Sequence, residues 1–155
     1  MRRYFLLPLV AAVAALTMFP GTALARAGHF VGKPTCRDIG TQVQCTGRVG
    51  GVRGTTFTIV VSAPGTASVE CTSPGGEVAP GQSASTTVTG TSGPFATPIR
   101  GKAQFTVTSD SPSAPPGSCP NPMWVAEVID VQFTTATLTL FEDSTVSDTI
   151  SVPVS

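Results

Sequence analysis

Cys119-Pro120-Asn121-Pro122-Met123-Trp124 runs directly into Val125-Ala126-Glu127-Val128-Ile129. This stretch holds the last cysteine, the only tryptophan and the start of the longest strand-like run. Its counterpart is Cys71-Thr72-Ser73-Pro74-Gly75-Gly76, where a strand ends at a cysteine and turns through Pro-Gly. Together they describe two β-rich halves stapled where these stretches meet.

Working outward, Trp124, Ala126 and Val128 share one face of a strand, but Ile129, Val131 and Phe133 continue on the opposite parity. A strand changes face only by taking in an extra residue, so a bulge or bend is expected near Val128-Ile129, with burial on both faces as the alternative. Before Cys71, Thr55-Thr56-Phe57-Thr58-Ile59-Val60-Val61-Ser62 is rich in β-branched residues and reads as a strand. Ala63-Pro64-Gly65-Thr66 has Pro and Gly where a type II turn wants them. A return strand from Ala67 to Cys71 then points Ala67, Val69 and Cys71 inward.

Thr35 to Cys45 reads as a hairpin around Gly40-Thr41, a two-residue loop suited to a type II′ turn. Ile39 then pairs with Gln42, and alternation sets Cys36 opposite Cys45 at disulfide distance. A turn centred on Ile39-Gly40 would offset that pair by two residues. His29-Phe30-Val31 is a terminal strand held by Phe30. Residues 83–91 form a polar edge strand with Val88 its only large apolar residue, followed by loops at Gly93-Pro94 and Thr97-Pro98. Ala103, Phe105 and Val107 alternate inward. Residues 111–122 hold five prolines and read as a rigid surface loop that delivers Cys119 to the core. Ala136 to Leu140 alternates again, Glu142-Asp143-Ser144 is a polar turn, and residues 146–154 give a last strand whose inner face is interrupted by Asp148. Outside the N-terminal segment nothing has helical periodicity. Eight or nine short strands at this spacing predict an all-β, immunoglobulin-like antiparallel sandwich.

The N-terminus reads as a secretory signal. Arg2 and Arg3 precede an apolar run from Phe5 to Met18, Phe19-Pro20-Gly21 breaks it, and two A-x-A sites end at Ala25 and Ala27. Cleavage after Ala27 is expected, with Ala25 the neighbouring site. That gives residues 1–27 as a removed leader and 28–155 as a single domain, with no membrane span after cleavage. The mature part carries six basic and nine acidic side chains. It has no basic stripe, which argues against nucleic acid as a partner. Four cysteines in an exported chain read as two disulfides, and their scattered spacing with one histidine does not fit zinc. Cys36–Cys45 follows from the hairpin, and Cys71–Cys119 by elimination.

Catalytic constellations are not legible. His29 stands near the new terminus, and Gly81-Gln82-Ser83-Ala84-Ser85 misses the G-x-S-x-G elbow. Glu70, Glu77, Glu127 and Asp130 could supply a glycosidase pair, but spacing alone cannot bring two of them together. Glu142, Asp143 and Asp148 lack the alternating oxygen pattern of a calcium loop. No catalytic residue, cofactor or metal site is therefore assigned. Trp124 reads as a core tryptophan packed on a disulfide, with an exposed sugar or peptide platform as the alternative.

The mature chain resembles small secreted proteins of actinobacteria that have no assigned activity. The resembling residues are His29-Phe30-Val31-Gly32, Cys36 to Cys45 with Thr46-Gly47, Cys71 to Gly76 with Val78-Ala79-Pro80-Gly81, and Gly117 to Pro122 with Trp124. The resemblance implies an exported β-sandwich. A looser similarity is to neocarzinostatin-type apoproteins, which share a short cysteine-bridged hairpin. Their other cysteines sit close together, whereas Cys71 and Cys119 are far apart, so chromophore binding is not carried over.

The expectation is a secreted, non-catalytic module that binds an extracellular protein or polysaccharide through loops rich in Pro and Gly, at 73–82, 93–101 and 109–123. The last loop ranks first, with Pro115, Asn121 and Met123 as candidate contacts. The alternative is a small-molecule carrier or hydrolase with a site between the sheets.

Overall fold

The computed structural model describes residues 27–155. The leader expected at 1–27 lies outside them apart from Ala27.

One strand is the axis of the molecule. Phe57, Ile59, Val61, Ala63, Ala67, Val69 and Cys71 share one parity and all are buried. Because that alternation never breaks, the chain stays extended from end to end as β4 (Thr56–Thr72, 17 residues). The turn expected at Ala63-Pro64-Gly65-Thr66 is therefore absent. Pro64 is tolerated at a seam. Along one edge of β4, β9 (Thr135–Glu142) pairs up to Ser62 and β8 (Val125–Phe133) takes over from Gly65, so neither ladder claims residue 64. Gly65 is needed for a close approach, since a Cβ there would lie 2.7 Å from Val131 Cγ1.

β8 and β9 are separated by Thr134 alone and together run antiparallel to nearly all of β4. The other edge of β4 is matched in the same way by β5 (Val78–Pro80) and β6 (Ala84–Ala96). This sheet is thus a long three-strand ribbon, with β10 (Thr145–Pro153) added outside β9. The second sheet has β3 (Val43–Gly50) at its centre. β7 (Ala103–Thr108) lies on one edge of β3, and β1 (His29–Phe30) and β2 (Thr35–Asp38) on the other.

The ten strands form two antiparallel sheets, more strands than expected. The disagreements run in opposite directions, because β4 merges two expected strands while β5 arises in an expected loop. β6 also runs past the expected loop at Gly93-Pro94, which is taken up as a register shift between Ser92 and Phe95.

The expected hairpin is present. Ile39 N–H donates to Gln42 O at 3.0 Å, Gly40 has φ +96°, and Cys36 pairs in register with Cys45. Their disulfide spans a Cα separation of 4.1 Å. The bulge in β8 is also present. Ser68 pairs with Asp130 and Val69 with Val128, so Ile129 has no partner and is 52 % exposed. Before it Ala126 and Val128 face inward, and after it Val131 and Phe133 do.

The core lies between the sheets. Phe30, Val43, Cys45, Val49, Phe105 and Val107 meet Phe57, Ile59, Val61, Leu138, Leu140 and Val152. Each large side chain sealed in this way contributes roughly 1.5–3 kcal/mol. Phe30 stands edge-on to Phe105 at 5.7 Å. Both flanks of the sandwich are closed. On one, Asp110 N–H donates to Thr89 O at 2.8 Å where β6 meets the end of β7. On the other, Val154 bridges Cys36, and Ser155 N–H donates to Cys36 O at 3.1 Å.

Candidate functional site

Val69 and Cys71, in the last third of β4, are buried yet stand outside the main core cluster. Residues 109–123 reach them from the far sheet. At its start this loop is pinned by Ser109, whose N–H donates to Val43 O and whose hydroxyl accepts from Val43 N–H, both at 2.9 Å. At its end Cys119 bonds Cys71, with Cα atoms 5.8 Å apart. Ser118 O accepts the N–H of Gln82 at 2.9 Å, and the Ser118 hydroxyl donates to Pro115 O at 2.7 Å. Gly81 fits only because it has no side chain, as a Cβ would lie 2.9 Å from both Cys71 Sγ and Val69 Cγ1. The proline loop is therefore the lid of a small second core.

Between this lid and the start of β8 lies a hollow of about 490 Å³. Pro115, Pro116, Ser118, Asn121, Pro122 and Trp124 line it, and its lining carries no charged side chain. Of the three candidate contacts, the structure brings Pro115 and Asn121 together here. Met123 is 72 % exposed and lies outside the lining. Asn121 Oδ1 accepts Met123 N–H at 2.9 Å, which tightens the turn. Trp124 is half-buried rather than sealed in the core. It precedes the first residue of β8 and sits beside Cys119 in the wall of the hollow. Two larger or comparable hollows lie across outer sheet faces. One of about 590 Å³ involves Lys33, Arg48 and Gln104, and one of about 470 Å³ involves Pro64, Thr86 and Gln132.

Among the carboxylates, sequence reasoning missed the assembly at Glu142 and Asp143. Asp143 and Ser144 have φ of +45° and +70°, as a two-residue type I′ hairpin requires between Glu142 and Thr145. That turn aims both acids at the loop before β4. Glu142 Oε1 accepts the N–H groups of Arg53 at 2.6 Å and Gly54 at 3.2 Å. Its Oε2 accepts Gly28 N–H at 2.8 Å and the Ser147 hydroxyl. Partial burial pushes the Glu142 carboxyl up, but the bonds from Ser147, Arg53, Gly28 and Gly54 outweigh it and hold the pKa at about 2. Asp143 accepts the N–H groups of Thr56 and Thr55, each at 2.9 Å, and these bonds hold its carboxyl below the usual range. Asp148, which breaks the apolar alternation of β10, accepts Phe30 N–H at 2.9 Å and ties β1 to β10. All three acids thus bind backbone donors. In the sequence Glu142 and Asp143 leave only a polar turn as their signal, and Asp148 only a break in the apolar alternation of the last strand.

Glu70 and Glu127 stand directly opposite each other across β4 and β8, a juxtaposition the sequence spacing did not reveal. Among the described residues no group of three or more His, Cys, Asp and Glu side chains could hold a metal ion. Comparison with protein-family models, curated proteins and solved structures finds no match for this chain.

Proposed function

We propose that this chain is an exported, non-catalytic module that binds a neutral extracellular polysaccharide, or a protein segment of the same uncharged character, at the hollow beneath the proline loop. The observation that carries the reading is the lining itself: a half-buried indole, three pyrrolidine rings, the Asn121 amide and no charge, held on a disulfide-braced frame. Aromatic and proline surfaces stack against the faces of sugar rings or extended peptides, and one or two polar groups set their orientation. The rigidity of the loop limits the entropy lost on binding. Two disulfides fit an oxidising compartment, in keeping with the leader read from the sequence.

The test is retention of the purified domain on insoluble envelope polysaccharide, followed by tryptophan fluorescence titration with soluble fragments. Trp124 is the only indole in the chain, so any fluorescence change reports on this hollow. Binding that is weakened by Pro115→Ala and Asn121→Ala supports the reading, with Met123→Ala affecting it less. Unchanged affinity in all three variants removes the loop from consideration. Hydrolysis of the polysaccharide that is abolished by Glu70→Gln or Glu127→Gln would replace the binding reading with an enzymatic one.

A further inference from the structure

The backbone nitrogen of Gly28 is held more closely than a chain entry requires. It donates to Glu142 Oε2 at 2.8 Å, and its residue is buried while Ala27 beside it is exposed. The carboxylate presses so near that a Cβ on Gly28 would lie 2.8 Å from Oε2 and 3.0 Å from Cδ. Gly28 O lies 2.7 Å from the Ser147 hydroxyl, and the next residue but one, Phe30, gives its N–H to Asp148. Among the described residues, the hydrogen bonds that tie this segment to β10 and its turn begin at Gly28. The donors that converge on Glu142 are three amides and one hydroxyl, none of them formally charged. Ala25-Arg26-Ala27 immediately upstream is one of the two small-residue cleavage patterns.

We infer that the chain is processed at the Ala27–Gly28 bond and that the new α-ammonium of Gly28 is the charged partner of Glu142, so that removing the leader locks the fold. A leader peptidase adds water across that amide. The Ala27 carbonyl takes the hydroxide as a carboxylate on the departing leader, and the Gly28 nitrogen takes up protons to become an ammonium. An amide donor on the carboxylate becomes a cation at the same place. The low pKa of Glu142 keeps its side of the pair ionised at neutral pH. The pair joins the entry to β1, the β9–β10 turn and the loop before β4. Cleavage after Ala25 would leave Gly28 an uncharged amide and put the ammonium two residues outside. Among the described residues, the other titratable groups near this point are His29, Arg53, Asp143 and Asp148.

The inference depends on the exported-module reading only for the peptidase. It is tested in two arms so that the two can fail separately. In the first, the intact mass of exported protein gives its first residue. Gly28 supports the proposal and Arg26 overturns it. In the second, the domain is made with Gly28 as its first residue by removal of a tag, with no export step. A free α-amine has a pKa near 8, so pairing should slow its acylation at neutral pH about tenfold relative to Glu142→Gln. A chain extended to begin at Arg26 should melt several degrees lower than the Gly28 chain, and that difference should vanish on the Glu142→Gln background. If Glu142→Gln does not fold, the reference is the extended chain, whose terminal amine should acylate at the ordinary rate. Equal acylation rates, or equal melting of the two chain lengths, would overturn the pairing even if export and polysaccharide binding were both observed.

Discussion

Four donors converge on Glu142, and that makes its protonation a matter of stability. Its pKa is lowered in the fold from 4.5 to about 2. A depressed carboxylate contributes stability that is fully present above its unfolded value and lost as pH falls through the folded one. At 1.36 kcal/mol per unit the full shift corresponds to about 3 kcal/mol. Solvent contact reduces that to about 1–2 kcal/mol. Glu142→Gln should therefore destabilise the domain by about that amount in urea at pH 7, and the gap to the parent should close between pH 4.5 and 2. Asp143 acts with the same sign. A gap that stayed constant across this range would mean that shape rather than charge is responsible. Gly90 is a second decisive residue, because a Cβ there would meet Thr108 O and lie 2.6 Å from Ser109 Cα. Those are backbone atoms at the closed flank of the sandwich, and they have no rotamer to yield with. Gly90→Ala should cost about 2–3 kcal/mol, the scale of overpacking. A loss under 0.5 kcal/mol would show that β6 can lift from β7 freely.

At the level of elements, the β8 bulge makes an unusual case for deletion. Ile129 is the unpaired residue between Val128 and Asp130. Removing it would restore regular alternation, with Ala126, Val128, Val131 and Phe133 all on one face and an exposed apolar side chain gone. Deletion of Ile129 should leave a folded protein within about 1 kcal/mol of the parent. Deletion of Val60, which pairs in register on both edges of β4, should unfold it by turning Phe57 and Ile59 outward relative to Val61 and Ala63. A large loss in the Ile129 deletion would mean that the bend itself is needed to carry Trp124 to the proline loop. This element was legible because a parity change is written in the side chains. The Cys36–Cys45 hairpin was legible for a related reason, since loop length fixes register. The turn misread at Pro64-Gly65 shows where local signals fail. The apolar parity of Ala63 and Ala67 continues that of Val61 and Val69, and a long-range pairing that outweighs a four-residue turn preference leaves no local mark. The hollow was half legible. Proline density announced a rigid loop, and an odd cysteine pair announced its anchor. That Asn121 would share it with Trp124 while Met123 pointed elsewhere depended on the turn at 121–124.

At the scale of the whole molecule, the two disulfides have different tasks, and removing them one at a time separates fold from site. Cys36–Cys45 closes a nine-residue separation within one hairpin that is already held by its own ladder. Cys71–Cys119 closes a separation of 48 residues and joins the end of the ribbon to the loop that crosses from the other sheet. Loop entropy gives about 2.5 kcal/mol for the first and about 4 kcal/mol for the second. The larger consequence is positional. Without the second bridge, Ser118 and Gln82 still share a hydrogen bond, but Val69 and Ala126 lose the covalent hold on their cover. The double substitution Cys36→Ala with Cys45→Ala should lower the melting temperature and leave polysaccharide retention intact in the folded fraction. Cys71→Ala with Cys119→Ala should abolish retention and open residues 109–123 to limited proteolysis, while the main core stays folded. That expectation rests on Val69 and Cys71 lying outside the main core cluster. If the proline loop remained protected in the second variant, its hydrogen bonds to Val43 and Gln82 would suffice to hold it. The brace proposed for the binding surface would then be the backbone rather than the disulfide.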